Sequence, residues 1–158
     1  MNGRSIAAVA VGLASTLGLG IHAWRQRRRE VVGFVKGQPV VLTAEGIDGK
    51  LVELGTANAF RRMRAAASRD GVKLKVVSGF RTMAEQEYLF ACYTNGGCNN
   101  GNYAERPGYS NHQSGHALDL NTRTAGVEAW MRSHAWEFGF ENTIPSEPWH
   151  WEYWDHGV

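Results

Sequence analysis

Leu51, Leu54, Ala57, Phe60, Met63 and Ala67 recur near helical spacing while Arg61, Arg62, Arg64 and Arg69 fall on other faces, which predicts an amphipathic helix over 51–69. Asp70-Gly71 ends it, and residues 73–78 (KLKVVS) read as a strand that closes at Gly79. Thr82 stands as an N-cap with Glu85 at the third helical position, as a capping box requires, so a second helix is expected over 83–93 with Gly96 and Gly97 as its stop. Residues 96–111 are rich in turn formers. The GHALDLN segment after them reads as extended, with Ala117 and Asp119 on one face and Leu118 and Leu120 on the other. A third helix over 127–138 carries Val127, Trp130, Met131 and Phe138, and a last strand over 149–154 alternates Trp149, Trp151 and Tyr153 with His150, Glu152 and Trp154. Helices and strands mix without a βαβ rhythm. The expected fold is therefore α+β: one small domain with a mainly antiparallel central sheet flanked by helices.

Upstream, the pattern changes. From Ser5 to Trp24 the chain has no formally charged side chain, and its twenty residues match the length of a bilayer-spanning helix. Ala, Gly, Ser and Thr outnumber Leu, Ile and Val there, so the segment reads either as a retained membrane anchor or as the apolar core of an export signal. The expected organisation is an apolar N-terminal segment with a basic flank over 1–29, a connector over 30–50 with VVGFV and PVVLT as strand-like runs and EGIDGK as a turn, and the folded domain over 51–158. Arg25, Arg27, Arg28 and Arg29 follow the apolar run, which by the positive-inside rule keeps the domain in the cytoplasm. Cysteine usage points the other way. Cys92 and Cys98 enclose YTNGG, a short turn that lets two Cβ atoms meet as a disulfide of an oxidising compartment; two buried free thiols are the alternative, and the spacing is too long for a zinc knuckle.

Composition narrows the classes. Of 158 residues, 43% are hydrophobic and 20% charged, which excludes disorder or a coiled coil as a description of the whole chain. The net charge of +2 hides an asymmetry: five of seventeen Lys and Arg lie at or before Arg29, leaving twelve against fifteen acidic residues in the remainder. A mildly acidic domain is a poor counterion-displacing surface, so no nucleic-acid partner is expected.

The candidate chemistry lies in the last third. Alternation aims His150 away from the aromatic face of its strand and lifts Asp119 opposite Leu118 and Leu120, where a buried carboxylate needs a partner such as a metal ion. His112 precedes Asp119 by seven residues across a bend at Gly115, enough chain for the imidazole to fold back. Two imidazoles and a carboxylate make the open three-ligand set of a catalytic zinc site. Glu147 supplies a base three residues before His150, but Pro148 between them excludes the interior of an HExxH helix.

Ser110-Asn-His112-Gln-Ser-Gly115-His-Ala117-Leu-Asp119 resembles the SxHxxGxAxD signature of the D-alanyl-D-alanine metallopeptidases, the VanY-type carboxypeptidases and their VanX-like dipeptidase relatives. Glu147-Pro-Trp-His150-Trp-Glu-Tyr resembles their second signature, and Ser78-Gly-Phe-Arg81-Thr their upstream SGYR motif with Phe in place of Tyr. The resemblance implies one zinc ion held by His112, Asp119 and His150, Glu147 as general base, and Arg81 as the group that stabilises the developing oxyanion or holds the substrate carboxylate. It also implies that Ser110 contacts substrate, and it adds Gln86 as a second substrate-binding residue, standing where family members often carry Gln after the SGYR turn. His116 occupies a variable motif position, and His134 and His156 read as surface residues.

By the same resemblance the substrate is the peptide stem of peptidoglycan, cleaved at its terminal D-Ala-D-Ala bond in the bacterial cell envelope. Two alternatives share the zinc site: a phage-type endolysin cutting between L-alanine and D-glutamate, and a non-catalytic zinc module of the hedgehog type, against which Glu147 argues.

Overall fold

The computed structural model describes residues 28–155. The apolar segment 5–24 and His156 lie outside them. Among the described residues no helix is long and apolar enough to cross a membrane.

Two tight turns organise the first strands. Lys36-Gly37 and Asp48-Gly49 all take positive φ, between 50° and 80°, the backbone that joins antiparallel strands with the correct twist. They link β1 (Arg28–Val35), β2 (Gln38–Ile47) and β3 (Lys50–Glu53) into a three-stranded antiparallel sheet. The stretch expected to be a connector is thus ordered ladder, and only Asp48-Gly49 of EGIDGK turns. The pairing of Lys50–Glu53 with β2 also explains why the first helix, α1 (Leu54–Arg69), starts three residues later than its apolar periodicity suggests. Glu53 caps it, its carboxylate accepting from the Thr56 N–H at 2.9 Å.

The second sheet is antiparallel with order β4-β5-β7-β6, formed by β4 (Val76–Ser78), β5 (Ala117–Leu120), β6 (Phe140–Glu141) and β7 (His150–Tyr153). The molecule is accordingly a small α+β domain with two antiparallel sheets in place of the single central sheet expected. β4 is shorter than the KLKVVS run because the Asn121 side chain, and not a neighbouring strand, bonds the Lys75 N–H and the Lys73 carbonyl.

Leu118, Leu120, Trp151, Val76 and Phe140 from this sheet pack with Phe60 and Met63 of α1 and with Trp130 and Met131 of α3 (Val127–His134) in one buried core. α3 gives way at Ala135–Phe138 to a 3-10 turn ended by Gly139 at φ 79°, so the helix predicted to Phe138 is two shorter pieces. The capping box of α2 (Met83–Asn95) is complete: Thr82 and Glu85 exchange bonds, and Gly96 ends the helix in the left-handed region. A Cys92–Cys98 disulfide then fastens its last turn to a short 3-10 turn at Asn99–Gly101. Arg61 and Arg64 of α1 are not a free basic face, since they pair with Glu45 and Asp48.

Candidate metal centre and active-site cleft

Strand register brings the first two groups together. Asp119 of β5 stands opposite His150 of β7 and Ser78 of β4, while Leu118 and Trp151, one residue along, pair on the face that meets the core. A strand alternates its faces residue by residue, so burying Leu118, Leu120 and Trp151 obliges Asp119 and His150 to share the opposite side.

His112 arrives from the turn-rich segment between α2 and β5. Gly115, at φ 82°, makes the bend; a Cβ there would stand 2.5 Å from Glu53 Cβ, so the loop is pressed against the start of α1 at a point only glycine fits. The hairpin upstream buttresses the same loop, with Phe34 N–H donating to the Gln113 carbonyl at 2.9 Å and Gly37 N–H to the Gly108 carbonyl at 2.8 Å.

His112 Nε2 and His150 Nδ1 lie 3.4 and 3.3 Å from Asp119 Oδ1, and one ligand atom from each residue falls within 4.8 Å of the others. Ligand atoms about 2.0–2.1 Å from a tetrahedral zinc stand roughly 3.3 Å apart, so the two His–Asp separations suit that ion. The outer ring nitrogens are committed elsewhere. His112 Nδ1 lies 2.8 Å from the Gly79 carbonyl oxygen, and His150 Nε2 lies 3.0 Å from Glu152 Oε1. An acceptor at each outer nitrogen takes its proton and leaves the inner nitrogen's lone pair for a metal.

The charges are tuned accordingly. Burial disfavours the His150 imidazolium, but the Asp119 and Glu152 carboxylates outweigh it and push the pKa up to about 9. Burial likewise opposes ionisation of Asp119, yet His112 and His150 hold its carboxyl well below the usual range. Glu152 is buried and would resist ionisation, but bonds from His150, Asn111 and Thr143 keep it low. In the sequence Glu152 is only one member of an alternating strand. Its one signal there is its spacing two residues from His150, which puts both on one face.

A cleft of about 960 Å³ opens over the three ligand candidates, and Arg81, Ser110 and Glu147 line it with them. Glu147 is placed by backbone bonds: its carbonyl accepts from the His150 N–H and from Asn142 Nδ2, both at 2.9 Å. Arg81 follows β4, and its N–H donates to the His112 carbonyl at 3.1 Å. Burial pushes the Arg81 guanidinium below its ordinary pKa, opposed by Asp119, Glu85 and Glu147. Ser110 is buried, and its hydroxyl oxygen accepts from the His112 N–H at 3.3 Å, bracing the metal-site loop from the cleft wall. Gln86 does not reach the cleft surface. It is wholly buried, accepting from Arg81 Nη1 at 2.7 Å. His116 stays outside the cluster beside Trp154, and His134 pairs with Glu137 on the surface.

The model of the VanY D-alanyl-D-alanine carboxypeptidase family matches residues 49–156. The chain belongs to this family. The D-alanyl-D-alanine carboxypeptidase of Enterococcus faecium is 32% identical over 113 residues, 61% of this chain and 35% of the relative. VanYB solved in complex with D-alanine-D-alanine superposes with a TM-score of 0.62 at 24% identity, covering 76% of this chain and 83% of that one. A vancomycin resistance D,D-pentapeptidase VanY from a VanB-type cassette, in complex with Zn(II), gives 0.61 at 24% identity over 76% and 82%. These two likenesses establish a shared fold. The chain spans 35–49% of the length of the curated relatives it matches.

Proposed function

We propose that this chain is a zinc-dependent carboxypeptidase that hydrolyses the terminal D-Ala-D-Ala bond of peptidoglycan stem peptides. The observation that carries the reading is the joint geometry of His112, Asp119 and His150: two imidazole nitrogens 3.4 and 3.3 Å from one carboxylate oxygen, all three ligand atoms within 4.8 Å in one cleft, each imidazole fixed through its outer nitrogen. Family membership supplies the substrate class.

Zinc held by His112 Nε2, Asp119 Oδ1 and His150 Nδ1 would supply a Lewis acid that polarises a carbonyl and lowers the pKa of a bound water to about 7. The chain's own groups do the rest. The Glu147 carboxylate takes a proton from the attacking water as its oxygen bonds to the scissile carbonyl carbon, and returns that proton to the departing amine nitrogen. The Arg81 guanidinium offers positive charge to the anionic oxygen that develops, or to the terminal carboxylate of the peptide. Ser110 lines the same wall and contacts the substrate. No covalent enzyme intermediate is needed, because water adds directly and the peptide C–N bond breaks.

We place the peptidase domain at 51–158 with the paired strands of 30–50 supporting it, and read the apolar segment 5–24 as a membrane anchor or export signal that puts the domain in the cell envelope. The Cys92–Cys98 disulfide supports an oxidising compartment. Turnover of a D-Ala-D-Ala-terminated pentapeptide tests the reading. Hydrolysis that a chelator abolishes and added zinc restores is expected, whereas zinc binding without turnover of any stem peptide would favour a non-catalytic module.

A further inference from the structure

Gln86 sits in the first turns of α2, wholly buried and behind the cleft wall. Both ends of its amide are engaged. Its Oε1 accepts from Arg81 Nη1 at 2.7 Å, and its Nε2 donates to the Glu105 carbonyl. Glu105 belongs to the loop that leaves α2, and Tyr103, Ala104 and Glu105 of that loop form cleft wall. The loop is tied back to α2 by Cys92–Cys98, with Cα atoms 4.9 Å apart, and by Tyr103, whose ring meets Tyr93 edge-on at 5.1 Å and whose hydroxyl donates to Glu105 Oε2 at 2.8 Å.

We infer that Gln86 is a positioning residue that holds the Arg81 guanidinium against the cleft and couples it to the loop closed by the Cys92–Cys98 disulfide. A guanidinium on a flexible stem can adopt many directions, and one strong bond to a buried, immobile amide removes most of them. That amide is immobile only while its other end has a fixed acceptor. Opening the disulfide frees the residues that lead to Glu105, so the Gln86 amide loses its anchor and Arg81 its aim. Reduction of this disulfide to two thiols by a dithiol, itself oxidised to a disulfide, therefore loosens the cleft through a path that leaves the metal ligands untouched.

This rests on the proposed role of Arg81, and a double-mutant cycle separates the two. The quantities are kcat/KM on a D-Ala-D-Ala-terminated peptide and zinc per chain by elemental analysis, for Q86L, the C92S/C98S pair, R81A and each combined with R81A. In the wild-type background, Q86L and the cysteine pair should each lower kcat/KM about tenfold, the worth of a hydrogen bond to a charged group, with zinc content unchanged. In the R81A background each should cost less than about twofold, because residues acting through one another are not additive. Equal losses in both backgrounds, or loss of zinc, would overturn the inference and leave Arg81 in place. Wild-type kcat/KM in R81A would instead remove the role of Arg81 on which it rests. If Q86L does not fold, the cysteine pair carries the cycle alone.

Discussion

His150 is held at both ring nitrogens by carboxylates, Nε2 at 3.0 Å from Glu152 Oε1 and Nδ1 at 3.3 Å from Asp119 Oδ1. The two contacts differ in kind. Asp119 lies on the side where a metal would be shared, while Glu152 lies behind the ring, fixes its rotation and raises its basicity. Glu152→Gln should therefore weaken zinc binding about 10- to 100-fold, the usual cost of losing such a supporting carboxylate. Competition against a chromophoric chelator measures it, and an unchanged affinity would show the contact to be only structural.

Glu147→Gln separates binding from chemistry. The substitution keeps the size and the backbone bonds of residue 147 but removes the base. Zinc content should stay at the wild-type level while kcat falls at least about a hundredfold. His112→Ala or His150→Ala should lose the metal itself, and elemental analysis of the purified variants distinguishes the two classes.

The metal-free protein should show a defined pH dependence. His150 is raised in the fold, so its stabilisation is complete below its unfolded pKa of about 6.5 and is lost as pH rises through about 9. Asp119 is lowered, so its contribution is present above its unfolded pKa of about 3.9 and lost as pH falls through the folded value. Thermal unfolding of chelator-treated protein should thus show a lower Tm at pH 10 than at pH 7. Because zinc must displace the proton from His150, metal affinity should rise with pH over the same upper range. A flat apo profile between pH 7 and 10 would contradict the coupling.

Much of this site is legible in the amino-acid sequence. The alternation of ALDL and HWEY puts Asp119 and His150 on the face opposite the core, because a strand allows only two directions. The capping box at Thr82 and Glu85 is equally visible, being local. Residues 28–53 are harder. Their strands pair only with one another, their exposure pattern is irregular, and the signals that matter are the two Gly-containing turns at Lys36-Gly37 and Asp48-Gly49. Gln86 is singled out by the resemblance, but its position is not legible: the sequence shows that a polar residue stands near Arg81 but not that helix geometry turns it inward, away from substrate. The role of Glu152 is hidden because its partner is an imidazole nitrogen whose orientation only the fold decides.

Gly115 offers a stability test. Its φ of 82° and the 2.5 Å separation between an added Cβ and Glu53 Cβ leave no room for a side chain. Gly115→Ala should destabilise the protein by more than about 1 kcal/mol and weaken zinc binding with it, since the same bend carries His112. Denaturant unfolding and the chelator competition read the two effects. Wild-type values in both would show that the loop can relax.

The most direct test is a digest of purified muropeptides carrying pentapeptide stems, followed by mass analysis. Zinc-loaded protein should remove one terminal alanine from each stem, and chelator should prevent it. Release of the whole stem by cleavage after its L-alanine, or intact pentapeptide in the presence of bound zinc, would contradict the assignment.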